Sequence, residues 1–179
     1  MQTIPSVQKE LASDPTERLL EIAKAEHGAI SNMLKAMAQS PKTLDGYLYF
    51  AHALQTSSLD PLLSEQIALT VAQVDQCDYS LVAHATRARH LGMGEDEILA
   101  AREGRLPNKK TEAALRFARA LMRRNGEPDL ADLRKLGYTN REIVDIVACV
   151  GLNVFTNMFN LVAKPDVDFH EVALKVHTA

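Results

Sequence analysis

The chain has no tryptophan, only four tyrosines and five phenylalanines, and just two cysteines in 179 residues. Cys77 and Cys149 stand 72 positions apart, so a disulfide framework is not expected and a reducing cytoplasm is the default compartment. An excess of one charge is also missing. Twenty Lys and Arg face 23 Asp and Glu, the net charge is −3, and the arginines form no basic run. That removes the electrostatic case for a nucleic-acid partner. No apolar stretch reads as long enough to cross a membrane, and the opening MQTIPSVQKELASDP lacks the basic-then-apolar layout of a secretion signal. A soluble cytoplasmic protein without a membrane partner is the expectation. Convincing strand patterns are absent as well. A hydrophobic content of 46% suffices for one sizeable core and is short for two, so a single domain over 1–179 is expected.

What is present is helical periodicity with caps almost throughout, which predicts an all-α helical bundle. A first helix is expected from about Pro15 to Met37, with Asp14 as N-cap and Pro15 at the first helical position. A second follows Ser40-Pro41 and turns Leu44, Leu48 and Ala51 to the core. Asp60-Pro61 opens a third, ending near Asp75, and a fourth runs from about Cys77 to Leu91, stopped by Gly92. Short helices near 95–103 and 129–136 flank a longer one near 110–124. A last long helix spans about Asn140 to Ala163, before Pro165 and an extended tail. Leu91-Gly92-x4-Glu97-Ile98 reappears as Leu136-Gly137-x4-Glu142-Ile143. Two copies with unlike surroundings predict a shared turn solution, not a solenoid.

The informative residues are Glu65, Cys77, Ser80 and His84, spaced Glu-x11-Cys-x2-Ser-x3-His. At about 100° per residue, a helix starting near Cys77 puts Cys77, Ser80 and His84 on one face. A thiol at a helix start, with imidazole two turns along, suits thiolate formation. Each residue also has an ordinary reading. Cys77 is equally a small buried thiol, and His84, flanked on its face by Leu81, Ala88 and Leu91, a core histidine. Glu65 shares its face with Ala68, Leu69 and Ala72; it is either a surface glutamate or, if buried, a carboxyl with a raised pKa suited to proton relay. Ser80 before His84 superficially suggests a hydrolase triad, but no strained nucleophile elbow accompanies it. Hydrogen bonding to Cys77 or His84 is the better role. Cys149, in IVACVGLNVF, reads as packing and as a poor resolving partner for Cys77. Asn153, Asn157 and Asn160 ride the last helix, either lining a pocket, bonding across a subunit contact or being satisfied within the core. No His/Cys/Glu cluster has ligand spacing, so neither metal nor cofactor is expected.

This pattern resembles the alkylhydroperoxidase D-like, carboxymuconolactone decarboxylase family, in its peroxidase-related branch. The stretch LDPLLSEQIALTVAQVDQCDYSLVAHATRARHLGMGEDEI, residues 59–98, follows the family text through two helices and a turn. The resemblance extends over a core of about 36–164, flanked by the N-terminal helix and the C-terminal tail. Its redox members carry a second cysteine where this chain has Ser80, and a hydroxyl cannot close a disulfide. Ordinary two-sulfur turnover is therefore not expected. Ser80 marks a natural one-cysteine branch, a non-redox member such as a lyase, or an introduced cysteine-to-serine change.

The resemblance implies a thiol-dependent peroxidase-type antioxidant protein. Cys77 would react with a small peroxide, Glu65 and His84 would relay protons, and an external thiol would act as reductant. It implies a homo-oligomer, a trimer or a multiple of trimers. Two alternatives stand beside it: a carboxymuconolactone decarboxylase-like lyase using His84 and Glu65, and a non-catalytic binding or scaffold member. No arginine is assigned to a substrate carboxylate.

Overall fold

The computed structural model describes residues 2–8, 13–123 and 130–169. Among these residues the chain forms nine α-helices and no strand. They are α1 (Asp14–His27), α2 (Asn32–Met37), α3 (Pro41–Gln55), α4 (Pro61–Val74), α5 (Asp78–His90), α6 (Glu95–Arg102), α7 (Lys109–Arg123), α8 (Leu130–Lys135) and α9 (Asn140–Ala163). The expected positions 124 and 129, at the facing ends of α7 and α8, lie outside the described residues, as does the tail beyond 169.

One boundary differs from expectation. The helix anticipated from Pro15 to Met37 is two, because Gly28 takes a left-handed φ of 76° and its N–H caps back onto the Lys24 carbonyl. Ser31 then restarts the chain as α2, its side chain accepting the Leu34 N–H. At the other end Ser13 is the N-cap, and Asp14 is already helical.

The core is built on α4. The Asp60 carboxylate accepts the Leu62 and Leu63 N–H groups, and Pro61 occupies the first turn. From Gln66 to Ala72 every residue is buried, the signature of a helix surrounded on all sides. Helices α5, α6, α7 and α9 pack around it. Burial of Ile67, Leu69 and Val71 stabilises the fold by roughly 1.5–3 kcal/mol per side chain. A second apolar cluster gathers Leu20, Leu34, Met37, Leu44 and Leu48 from α1–α3, and Cys77 and Tyr79 insert into it. Cys77 therefore belongs to this second cluster, while Leu81 of α5 belongs to the first.

Both repeated turns use one geometry. Gly92 and Gly137 have φ of 94° and 85°. The next residue's N–H returns five positions, Met93 to Ala88 and Tyr138 to Leu133, each at 3.0 Å. A capping glutamate follows in each case, Glu97 and Glu142.

Helix α9 is 24 residues long and, by length and composition alone, apolar enough to cross a membrane, contrary to the sequence expectation. One face buries Ile143, Ile146, Val150, Asn153, Asn157 and Asn160 against the bundle. The other exposes Val144, Val147, Phe155, Met158 and Val162. The Ala163 carbonyl at its end accepts the Thr3 and Ile4 N–H groups. Beyond it the chain folds back, and the Asp168 carboxylate accepts the Tyr79 hydroxyl at 2.8 Å and the Asn32 N–H at 2.6 Å.

Candidate active site

The α4–α5 turn positions the sulfur. Gln76 adopts φ 54°, unusual for a residue with a Cβ, and the Cys77 N–H bonds back to the Ala72 carbonyl at 3.0 Å. Cys77 thereby becomes the N-cap of α5, at the helix start the spacing predicts. Its side chain takes no capping bond. Instead the thiol, 2% exposed, donates to Ser80 Oγ at 3.3 Å. Ser80 is itself buried and also accepts from Asn160 Nδ2 of α9 at 3.1 Å. The bonding role expected of Ser80 is thus seen, with Asn160 as its second partner.

One turn further along the same face of α5, His84 meets Glu65 of α4. Nδ1 and Oε2 are 2.7 Å apart, and both side chains are largely buried. Arg87, one turn beyond, donates from Nε to Glu65 Oε1 at 3.1 Å and lays Nη2 2.9 Å from His84 Nδ1. Burial alone would raise the Glu65 carboxyl, as the sequence suggested. The Arg87 guanidinium and His84 outweigh it, and the carboxyl is held below its ordinary value. The expected raised pKa is therefore corrected by a neighbouring cation. His84 is lowered first by burial and then by Arg87, with Glu65 and a hydrogen bond to Asn153 opposing. With Glu65 ionised, the tautomer that carries its proton on Nδ1 donates to the carboxylate and leaves Nε2 as the basic nitrogen. This is a neutral imidazole oriented by a carboxylate.

The site has members that the spacing did not identify. Arg87 completes the face Ser80–His84–Arg87 at steps of four and three, a signal present in the sequence but passed over. Tyr47 of α3 carried no such signal. Its hydroxyl is raised by burial while Arg87 and Glu65 both act on it, and it bonds Thr156. Its ring faces Phe155 of α9 at 6.3 Å between centroids.

Asn153, Asn157 and Asn160 of α9 all turn inward. Asn153 donates to the Cys149 carbonyl at 2.9 Å, and Asn157 to Asp75 Oδ2 at 2.8 Å. Their satisfaction is incomplete, because among the described residues the buried Oδ1 atoms of Asn157 and Asn160 meet no donor. A polar atom left so typically costs ~1–3 kcal/mol.

Cys149 is buried in the main cluster, and burial pushes its thiol up to about 12. Its sulfur lies near the Ser64 carbonyl at the start of α4, whereas Cys77 follows the end of α4. Asn160, the neighbour of the Cys77 site, is eleven residues from Cys149 along α9. Both rulers put the cysteines roughly 15 Å apart along the bundle, far beyond disulfide reach.

Carboxylate, imidazole and sulfur therefore line one face of α5. No hydrogen bond among the described residues joins His84 to Cys77 or Ser80, so the thiol–Ser80–Asn160 group and the Glu65–His84–Arg87 group are consecutive units.

Comparison with known proteins bears on the family and the fold. The carboxymuconolactone decarboxylase family model matches residues 41–123, which include α4, the Cys77 turn and α5. No curated protein sequence matches the chain. An uncharacterized peroxidase-related protein from Silicibacter sp. TM1040 is similar over 94% of each chain, with 26% identity and a TM-score of 0.80. The fold is shared with an alkylhydroperoxidase-core, peroxidase-related protein from Ralstonia eutropha JMP134, at 19% identity and TM-score 0.79 over 92% of each chain. It is also shared with a cysteine-to-alanine variant of the debrominase Bmp8 in complex with 2,3,4-tribromopyrrole. That structure has 16% identity and a TM-score of 0.80, covering 94% of this chain and 92% of its own.

Proposed function

We propose, from the premise that this chain belongs to the carboxymuconolactone decarboxylase family through residues 41–123, that it is a one-cysteine, thiol-dependent peroxidase. The observation that carries the reading is the buried Cys77 thiol bonded to Ser80, which itself stands one helical turn from a neutral His84 oriented by Glu65. In the reaction, the Cys77 thiolate attacks the distal oxygen of a hydroperoxide. A sulfur–oxygen bond forms and the oxygen–oxygen bond breaks. Two electrons pass from sulfur to peroxide, leaving a sulfenic acid and an alkoxide or hydroxide. His84 takes the thiol proton through water and returns it to the leaving oxygen, while Glu65 steadies the imidazolium.

Ser80 cannot resolve the sulfenic acid, and the position of Cys149 argues against its doing so. An external thiol closes the cycle: one equivalent forms a mixed disulfide and releases water, and a second regenerates Cys77. The small exposure of the sulfur favours small hydroperoxides. The apolar outer face of α9 supports a homo-oligomer, for which the family resemblance suggests a trimer or a multiple of trimers.

A second reading follows from the absence of a bond between His84 and the sulfur. Glu65 and His84 then act alone as a general acid–base pair on a carboxylated lactone-like substrate, as in the decarboxylase branch. Replacement of Cys77 by alanine separates the two. Peroxide consumption with dithiothreitol as reductant should vanish in C77A. Undiminished consumption would remove the peroxidase reading, and a lyase activity indifferent to C77A would establish the second.

A further inference from the structure

Ser80 Oγ carries an unusual load for a buried hydroxyl. With Cys77 protonated, Oγ accepts the S–H at 3.3 Å and Asn160 Nδ2–H at 3.1 Å, and no acceptor stands opposite for the serine's own proton among the described residues. With the sulfur ionised the count closes: Asn160 donates to Oγ, and the hydroxyl donates to the sulfur. The amide that fixes this direction has a second end. Asn160 is 4% exposed, and its buried Oδ1 meets no donor among the described residues. It lies one residue beyond the sulfur's own hydrogen-bond partner.

We propose that Asn160 is the positioning residue of Cys77: its N–H aims the Ser80 hydroxyl at the sulfur, and its carbonyl accepts the O–H of a hydroperoxide or of the sulfenic acid formed there. Ser80 is then a functional member of a one-sulfur site, coupled to α9, and not a gap left by a second cysteine. Toward the sulfur itself Asn160 acts through Ser80, and only its carbonyl would meet the peroxide or sulfenic O–H directly. The first half of this inference stands on hydrogen-bond geometry alone, and the second rests on the peroxidase reading.

The test is a double-mutant cycle read by peptide mass spectrometry at Cys77. The rate of iodoacetamide alkylation at pH 7 reports the relay without any peroxide. S80A and N160L should each slow it about tenfold, the loss of one hydrogen bond to a charged group. The S80A/N160L double variant should stay within about twofold of either single. N160A serves the same purpose should N160L fail to fold, with circular dichroism as the check. A wild-type alkylation rate in N160L and N160A, or effects of S80A and N160L that multiply, would overturn the relay.

The carbonyl half is read with hydrogen peroxide and dimedone trapping. In N160L, sulfenic acid formation should fall several-fold beyond the fall in alkylation, and equal falls would overturn it. If wild-type protein forms no sulfenic acid, the peroxidase reading and the carbonyl half fall together. The alkylation cycle still decides the relay.

Discussion

At the residue scale, the chemistry depends on how a buried carboxylate stays ionised beside an imidazole that stays neutral. Burial lowers His84 first and Arg87 adds to it, while for Glu65 Arg87 leads the groups that outweigh burial, although half of the Arg87 side chain is in water. Substitution R87M should let the Glu65 carboxyl rise, so activity is lost at a higher pH on the acid side while the rate near pH 8 changes little. A pH–rate profile superimposable on wild type would deny Arg87 this part. E65Q removes the orienting charge and should cost about 10²-fold or more in the rate of Cys77 oxidation at every pH. The same shifts set acid stability. His84 is depressed in the folded state, so below its ordinary value of 6.5 the unfolded chain binds the extra proton and stability falls as pH falls. Glu65, also depressed, adds a second decline below 4.5. Urea unfolding across pH 4–8 should show the first decline in wild type and not in H84Q, and an unchanged decline in H84Q would contradict this account. Cys77, Ser80, His84 and Glu65 were legible because helical spacing aligns three of them and family resemblance supplies the fourth. Arg87 was equally legible from spacing, but its partner is a carboxylate on another helix. Tyr47 was not, because only packing of α3 against α9 brings its hydroxyl to the site.

At the scale of elements, nearly every helix was readable from caps and periodicity, since Asp60, Pro61, Gly92, Gly137 and Thr139 act locally. The break at Gly28 was not anticipated, because a glycine inside a periodic stretch is tolerated as often as it terminates. The left-handed Gln76 was invisible for a physical reason: nothing in glutamine favours that conformation, and the closure of α4 onto α5 imposes it. It is exposed, so its side chain contributes little there. Q76G should therefore stabilise the protein by about 0.5–1 kcal/mol, less the entropy that glycine restores to the unfolded chain. A chemical denaturation midpoint that falls in Q76G would show that the turn carries no such strain. Leu69, fully buried in α4, gives the opposite sign, and L69A should lose about 2–5 kcal/mol.

At the scale of the whole molecule, two features carry predictions. Val144, Val147, Phe155, Met158 and Val162 recur along α9 at steps of three, eight, three and four, exposed on the side turned away from the core. Tyr49 and Phe50 of α3 add to the exposed apolar surface. A stripe of that kind is expected to be covered in an oligomer, and M158D/V162D should sediment as a smaller species than wild type. Wild-type protein that sediments as a monomer at tens of micromolar would remove that expectation. The other feature is the position of the sulfur, buried in the second apolar cluster and distant from the second cysteine. The account as a whole requires that this sulfur react with peroxide. Reduced protein treated with one equivalent of hydrogen peroxide and dimedone, then digested and weighed, tests this most directly. The expected result is peroxide consumed in proportion to protein, with the adduct on Cys77 and none on Cys149. Unmodified Cys77 with the peroxide left intact would contradict it.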